Sequence, residues 1–149
     1  MERTLILLKP DAVQRRLVGD ILARFERKGL RLAGLKLVQA DKTLAEKHYE
    51  VHKERPFYGS LISFLTSGPT VALVLEGREA VLVARTLIGA TDGVKSPPAT
   101  IRGDYAISVQ NNLVHGSDSA ENAAKEIALW FKPEELATWA PVDAPWVTG

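Results

Sequence analysis

His115 is one of three histidines in the chain. It stands in the run Asn112-Leu-Val-His115-Gly-Ser-Asp-Ser119, where small hydroxyl and carboxylate residues follow it. A neutral imidazole can attack phosphorus through one ring nitrogen, provided the other keeps its proton and a neighbour fixes that tautomer. Ser117 and Glu126 are the candidates for that hold. Asp118 or Ser119 opens a helix on which positions 119, 122, 123 and 126 share one face. Helical side chains lean towards the N-terminus, so Glu126 can point back at the ring. The same position puts His115 at the mouth of a helix N-terminus, where unpaired N–H groups favour an anion. Gly116 removes a side chain where something must approach the backbone. Two plainer readings stand beside the nucleophile. The histidine can simply cap or pack at the helix end, and His115 with Asp118 gives only two metal ligands, too few for a site.

Phosphoryl transfer needs cations and donors more than covalent chemistry. Lys9, at the end of a strand and fixed by Pro10, is the best-positioned cation. Arg85, Thr91 and Arg102 are further candidates, each of which can equally be a solvated surface group. His48 and His52 lie four apart, but no third ligand has useful spacing, and His48 reads as a buried or surface histidine. Neither GxxxxGK[ST] nor GxGxxG occurs, so any phosphates are held by other means.

The elements that must position these groups follow from periodicity. Thr4–Leu8 is a short apolar run ending at Pro10, a buried strand. Val18–Lys28 is helical, with Gly29 at its C-terminal stop. Arg31–Ala40 alternates as a strand, with Leu35, Leu37 and Gln39 on one face and Lys36 and Val38 on the other. Thr43 and Glu46 form a capping box for a helix predicted to carry Tyr49 and His52 down to Arg55-Pro56. Phe57–Leu65 is a short helix, and Thr70–Leu75 is a strand apolar on both faces. Arg78–Ile88 is a helix with Val81, Leu82 and Leu87 facing inwards. Residues 89–104 hold three Gly and two adjacent Pro without any period, and a structureless loop of that length is usually functional. Tyr105–Val109 reads as the fourth strand. Ser119–Phe131 is helical, with Ala120, Ala123, Ala124, Ile127, Ala128 and Phe131 on its apolar stripe. The tail, with Pro141, Pro145 and Trp146, is expected to be extended and docked. The order β-α-β-α-β-α-β-α over 1–149 predicts a single α/β domain, one sheet with helices against it, and suits the split β-α-β, ferredoxin-like arrangement.

The chain has 149 residues, 46% hydrophobic and 25% charged, which is enough to bury a core. Its 19 basic and 18 acidic residues leave a net charge of +1, so an anion site must be a local cluster. That balance offers no general pull towards nucleic acid or membrane. Cysteine is absent, excluding disulfides and thiolate metal sites and fitting a reducing, cytoplasmic compartment.

The NxxHGSDS run resembles the signature of nucleoside diphosphate kinases. TLILLKPDAVQR, GDILARFERKGL, RPFYGSLISFLTSGP, TIRGD and EIALWFKPEEL carry the likeness almost end to end. The resemblance implies an α+β sandwich with a four-stranded antiparallel sheet, assembled as a homo-oligomer, with a hexamer favoured over a tetramer. It implies transfer of the γ-phosphate between nucleoside tri- and diphosphates with Mg²⁺ carried by the phosphates and no direct protein ligand to the metal. Transfer is ping-pong through a phosphorylated His115, with Glu126 and Ser117 orienting the ring and Tyr49 close to it. Lys9 and Asn112 contact the ribose 3′ hydroxyl and the transferring oxygen. His52, Arg85, Thr91 and Arg102 hold the phosphates, and Phe57 and Val109 sandwich the base. The alternative on this scaffold is a non-catalytic nucleotide- or RNA-binding module, but the aromatic motif for stacking RNA on the sheet is missing. The chain departs from the family in three places: Gln110-Asn111-Asn112 where members often read Gly-Arg-Asn, Asp92-Gly93 where Asn-Pro is common, and Gly149 where some members end in Glu.

Overall fold

The computed structural model describes residues Met1–Gly149. Four strands, β1 (Glu2–Leu8), β2 (Arg31–Val38), β3 (Thr70–Gly77) and β4 (Val114–Gly116), form one sheet in the order β2-β3-β1-β4. All three pairings are antiparallel. The helices are α1 (Pro10–Gln14), α2 (Val18–Lys28), α3 (Lys42–His48), α4 (Tyr58–Thr66), α5 (Ala80–Ile88), α6 (Ile101–Tyr105), α7 (Ala120–Trp130) and α8 (Ala144–Val147). None is long and apolar enough to cross a membrane.

The strand period of two sorts the central strands onto two cores. Ile6, Leu8, Leu73 and Leu75 face Ile21 and Phe25 of α2, Ala80 and Ala84 of α5 and Ile101 of α6. Leu5, Leu7, Ala72 and Val74 face Ala45 of α3, Leu65 of α4 and Trp130 of α7. Every residue of β3 is buried, as its continuous apolar run requires. Each buried Leu or Ile contributes about 1.5–3 kcal/mol of transfer free energy, so β1 and β3 anchor the fold. Local signals set the ends of the helices. Gly29, at φ 111°, ends α2, Asp41 caps α3 through Leu44 N at 2.8 Å, and Ser119 caps α7 through Asn122 N at 3.1 Å.

Several expectations are corrected. The fourth strand is Val114–Gly116, not Tyr105–Val109. Thr100 Oγ1 accepts the Gly103 N–H and starts α6, which ends at Tyr105, and Ile107 and Val109 then lie exposed without a strand partner. The N-cap of α3 is Asp41, not Thr43, and α3 stops at His48, so Tyr49 lies beyond it and His52 closes a 3₁₀ turn at Glu50–His52. Leu82 faces solvent, and α5 buries Ala80, Val81, Ala84 and Ile88. The inner face of α7 is Ala123, Ile127 and Trp130, while Ala120, Ala124 and Ala128 are exposed. Residues 89–104 are not structureless: Asp92 caps a 3₁₀ turn at Gly93–Lys95 and Ser96 bonds Thr100 at 2.9 Å. Gly93 lies so close to the Ala106 carbonyl that any side chain would collide, so this chain's departure from Asn-Pro is built into its local packing. In the tail Trp139 docks, donating to Leu32 O at 2.7 Å, whereas Trp146 lies exposed in α8.

Candidate active site

Three residues of β4 bring the histidine to the sheet. Ile6, Leu7 and Leu8 pair with Gly116, His115 and Val114. So short a strand has too few ladder bonds to fix itself, and polar groups outside it complete the hold. Lys9 N donates to Leu113 O at 2.8 Å and Ser117 N to Leu5 O at 3.1 Å. Arg102 Nη2 donates to Val114 O at 2.6 Å, and Leu113 N donates to Asp11 Oδ2 at 3.0 Å. The last bond matters because Leu113 adopts φ +72°, a left-handed conformation costing about 1–3 kcal/mol in a non-glycine residue. Gly116 is small for a different reason from an approaching ligand: a Cβ there would lie 2.7 Å from Ile88 Cδ1, so α5 is what comes close.

His115 Nε2 lies 3.0 Å from Glu126 Oε1, and no protein group bonds Nδ1. Glu126 reaches back from two turns inside α7. Ser117 is fully buried, and its hydroxyl donates to the same Glu126 oxygen at 2.6 Å while accepting from Leu5 N at 3.2 Å. A hydroxyl has one proton, so the short bond to Glu126 takes it in preference to the 3.4 Å contact with Leu5 O. Burial pushes the Glu126 carboxyl up, but its bonds and charge interaction with His115 and the Ser117 hydroxyl outweigh this and hold it below the usual carboxylate range. An ionised Glu126 accepting from His115 leaves the proton on Nε2 and a lone pair on Nδ1.

The ring borders a cavity of about 770 Å³. Tyr49, His52, Arg85, Thr91, Arg102 and Glu126 line it with His115, so the structure brings together seven of the residues singled out from sequence. Arg102 is anchored by Nε to Asn112 O at 3.1 Å, Nη1 to Gly89 O at 3.4 Å and Nη2 to Val114 O. Burial and the nearby Arg85 lower its pKa to about 10. Arg85 donates to Gly116 O at 3.2 Å. Burial, together with Asp11 and Glu126, raises the Tyr49 hydroxyl to about 12, so it remains a donor.

Lys9 and Asn112 lie behind the wall. Lys9 is 8% exposed and donates through Nζ to Asn112 Oδ1 at 2.5 Å, and Asn112 Nδ2 donates to Thr91 O at 3.1 Å. Burial pulls the Lys9 pKa down to about 8, with Asp11 opposing and Arg102 assisting. Phe57 and Val109 are not on the cavity wall. They stand 45% and 58% exposed, Phe57 with its ring 5.6 Å from that of the cavity residue His52.

Sequence reasoning missed Asp11, which supports Leu113, and His48, which contacts the His115 ring. It also missed Lys47 and Lys125 on the cavity wall. The Lys-Pro-Asp spacing around Pro10 was the available signal for Asp11. His48 carried none, because its partner Trp130 is 82 residues away.

A nucleoside diphosphate kinase family model matches residues 2–136. Nucleoside diphosphate kinases of Trichodesmium erythraeum and Gloeobacter violaceus are 58% and 57% identical to the chain, each alignment covering 99% of both proteins. Among solved structures, a halophilic nucleoside diphosphate kinase from Halobacterium salinarum in complex with CDP superposes with a TM-score of 0.97 at 46% identity, covering 99% of both chains. A family protein from Babesia bovis gives a TM-score of 0.96 at 46% identity with the same coverage. With a ferredoxin-like antiparallel sheet carrying a carboxylate-held histidine at a cavity that Arg85 and Arg102 line, and with relatives this similar end to end, the chain belongs to the nucleoside diphosphate kinases, enzymes of nucleotide phosphotransfer.

Proposed function

We propose that the whole chain, 1–149, acts as one domain that moves the γ-phosphate of a nucleoside triphosphate, mainly ATP, to a nucleoside diphosphate through phosphorylated His115. The observation that carries this is the 3.0 Å contact of Nε2 with Glu126, which leaves Nδ1 unbonded beside the cavity. In the first half-reaction Nδ1 forms a bond to the γ-phosphorus. The bond from phosphorus to the β,γ-bridging oxygen breaks, and that oxygen keeps the electron pair as the diphosphate leaves. The Nε2 proton stays between the ring and Glu126, which offsets the positive charge the ring acquires. A second diphosphate then takes the phosphoryl group by the reverse displacement.

Arg85, Arg102, His52 and Thr91 hold the phosphates, and Tyr49 stands beside His115. Lys9 and Asn112 meet the ribose 3′ hydroxyl and the transferring oxygen. Phe57 and Val109 sandwich the base, and stacking with few edge contacts admits all bases. Mg²⁺ fits this site as a passenger of the phosphates. Phosphate oxygens and water would hold the ion, since the carboxylate nearest the histidine, Glu126, is already engaged by His115 and Ser117. When bound, Mg²⁺ neutralises phosphate charge.

Self-association belongs to the same reading, as a hexamer rather than a tetramer on the strength of the chain beyond Pro141. The outer edge of β2 supports it. Ala137 N and Trp139 Nε1 cover Ala33 O and Leu32 O, and beyond them Leu35 and Leu37 stand 52% and 67% exposed on an unpaired edge. A cytoplasmic location fits a chain without cysteine.

The test is incubation with radiolabelled ATP and unlabelled GDP, followed by recovery of labelled GTP and of acid-labile label on the protein. His115→Ala is expected to abolish both. Full exchange in that variant would remove His115 from the mechanism.

A further inference from the structure

Trp130, 3% exposed, closes α7, and its Nε1–H donates to His48 Nδ1 at 3.1 Å. His48 closes α3, and its ring lies edge-on to that of His115 with centroids 4.7 Å apart and planes at 82°. A ring nitrogen of His48, a ring nitrogen of His115 and a Glu126 oxygen fall within 4.8 Å of one another. That spacing would suit a metal ion, but the hydrogen bonds oppose one. The Trp130 N–H fills the Nδ1 lone pair of His48, so in the neutral ring Nε2 carries the proton. Ligation through Nε2 would set two N–H groups against each other at Trp130. Glu126 Oε1 is already the partner of both His115 and Ser117.

We propose that His48 is a positioning residue for phosphoryl transfer: with its tautomer fixed by Trp130, it stands as an uncharged wall against the His115 ring, keeping that ring on Glu126 and sparing it a neighbouring cation. The proposal rests on His115 as the residue that takes the phosphoryl group. As Nδ1 bonds to phosphorus, positive charge builds on the His115 ring, and an imidazolium in ring contact would oppose it. Around His48 stand His115 from β4, Lys9 just past β1, Glu126 and Trp130 from α7, and Tyr49 and His52 beyond α3. Burial, together with His115, Lys9 and His52, drives the His48 pKa down to about 3, against the pull of Glu126. Trp130 adds what charge alone does not supply, a fixed choice between two tautomers.

The test compares wild type, Trp130→Phe, His48→Gln and the double variant by single-turnover labelling of His115 from ATP between about pH 5.5 and 9. Trp130→Phe keeps the ring packing and loses the N–H. Burial still keeps His48 uncharged across this range, so the profile is expected to keep its wild-type shape at a several-fold lower plateau, with both His48 tautomers visible by nitrogen NMR. The double variant is expected to be no slower than His48→Gln alone, because Trp130 acts through the imidazole. A Trp130→Phe plateau equal to wild type, or losses at 48 and 130 that simply multiply in the double variant, would overturn the proposal. If Trp130→Phe does not fold, nitrogen NMR of wild-type His48 decides: an unprotonated Nδ1 with protonated Nε2, unchanged down to about pH 5, supports it, and the opposite tautomer or titration near the ordinary histidine pKa defeats it. Failure of the His115 assignment is separately visible, since wild type would then carry label that His115→Ala retains.

Discussion

Arg102 and His52 border the same cavity but are held in opposite ways. Arg102 directs its guanidinium at three backbone carbonyls, those of Gly89, Asn112 and Val114, and so ties the 89–114 segment to β4. Lys9, Asn112 and Thr91 extend that network behind it. His52 sits in a 3₁₀ turn with exposed neighbours, its ring paired with those of Tyr49 and Phe57 and tied by no side-chain hydrogen bond. One wall is therefore part of the fold, and the other is attached to it. A group built into the structure can be aimed before substrate arrives, which is what electrostatic stabilisation of a transition state requires. A loosely held group can contribute to binding while yielding to substrates of different shape.

If the two walls differ as described, removing Arg102 damages the protein itself. Arg102→Ala leaves three carbonyls without their donor and releases the strand that carries His115. Hydrogen bonds from a charged donor are each worth about 1.5–3 kcal/mol, so a loss of about 3–5 kcal/mol in urea unfolding is expected together with a fall in kcat. An unchanged unfolding midpoint would mean that the network is decoration and that both walls are equally loose.

Lys9 sharpens the same point through pH. Its folded pKa of about 8 lies below the ordinary 10.5, so between those values the unfolded chain binds more protons than the folded one. Stability therefore rises with pH through that window, by about 2–3 kcal/mol in the absence of nucleotide, and the burial cost is fully present below about pH 8. Lys9→Met is expected to flatten the rise. Phosphates favour the charged ammonium, so nucleotide binding above about pH 8 should take up a proton, measurable by calorimetry in buffers of different ionisation heat. A wild-type stability that falls between pH 8 and 10 and falls equally in Lys9→Met would show that Lys9 is not buried as described.

Asp11 gives a smaller effect on the fixed wall. Its Oδ2 accepts from Leu113 N, while Oδ1 is buried without a partner. Asp11→Ala loses the bond that holds Leu113 left-handed, an expected cost of about 1–2 kcal/mol with a slower half-reaction. Leu113→Gly in the same background should return part of the stability by relieving the strained conformation, though not the bond.

How legible each wall was from sequence follows from the forces that make it. The central strands were readable because burial imposes a period. Thr4–Leu8 and Thr70–Leu75 lie inside β1 and β3, and the resemblance supplied the antiparallel sheet that they form. The segment from Thr100 to Gly116 was misread because its order comes from Arg102, Asp11 and Lys9, which leave no period behind. Tyr105–Val109 has the composition of a strand, but a Thr100 cap forms α6 and β1 takes Val114–Gly116 instead. The chemistry was more visible than its scaffold. His115, Ser117 and Glu126 stand within eleven residues of one another, so one helix face sufficed to relate them. His48 and Trp130 meet only in the fold, and no spacing connects them.

His52→Ala should have the smallest effect of these variants. It removes a ring that no hydrogen bond ties down, so the unfolding midpoint should move by less than about 0.5 kcal/mol, the range of surface substitutions. The KM for nucleotide should rise several-fold while kcat changes less, because the group contributes to binding in ground and transition states alike. Steady-state kinetics with ATP and GDP separate the two. A His52→Ala variant that loses kcat as heavily as Arg102→Ala, with KM unchanged, would put His52 in the aimed set and erase the distinction between the walls.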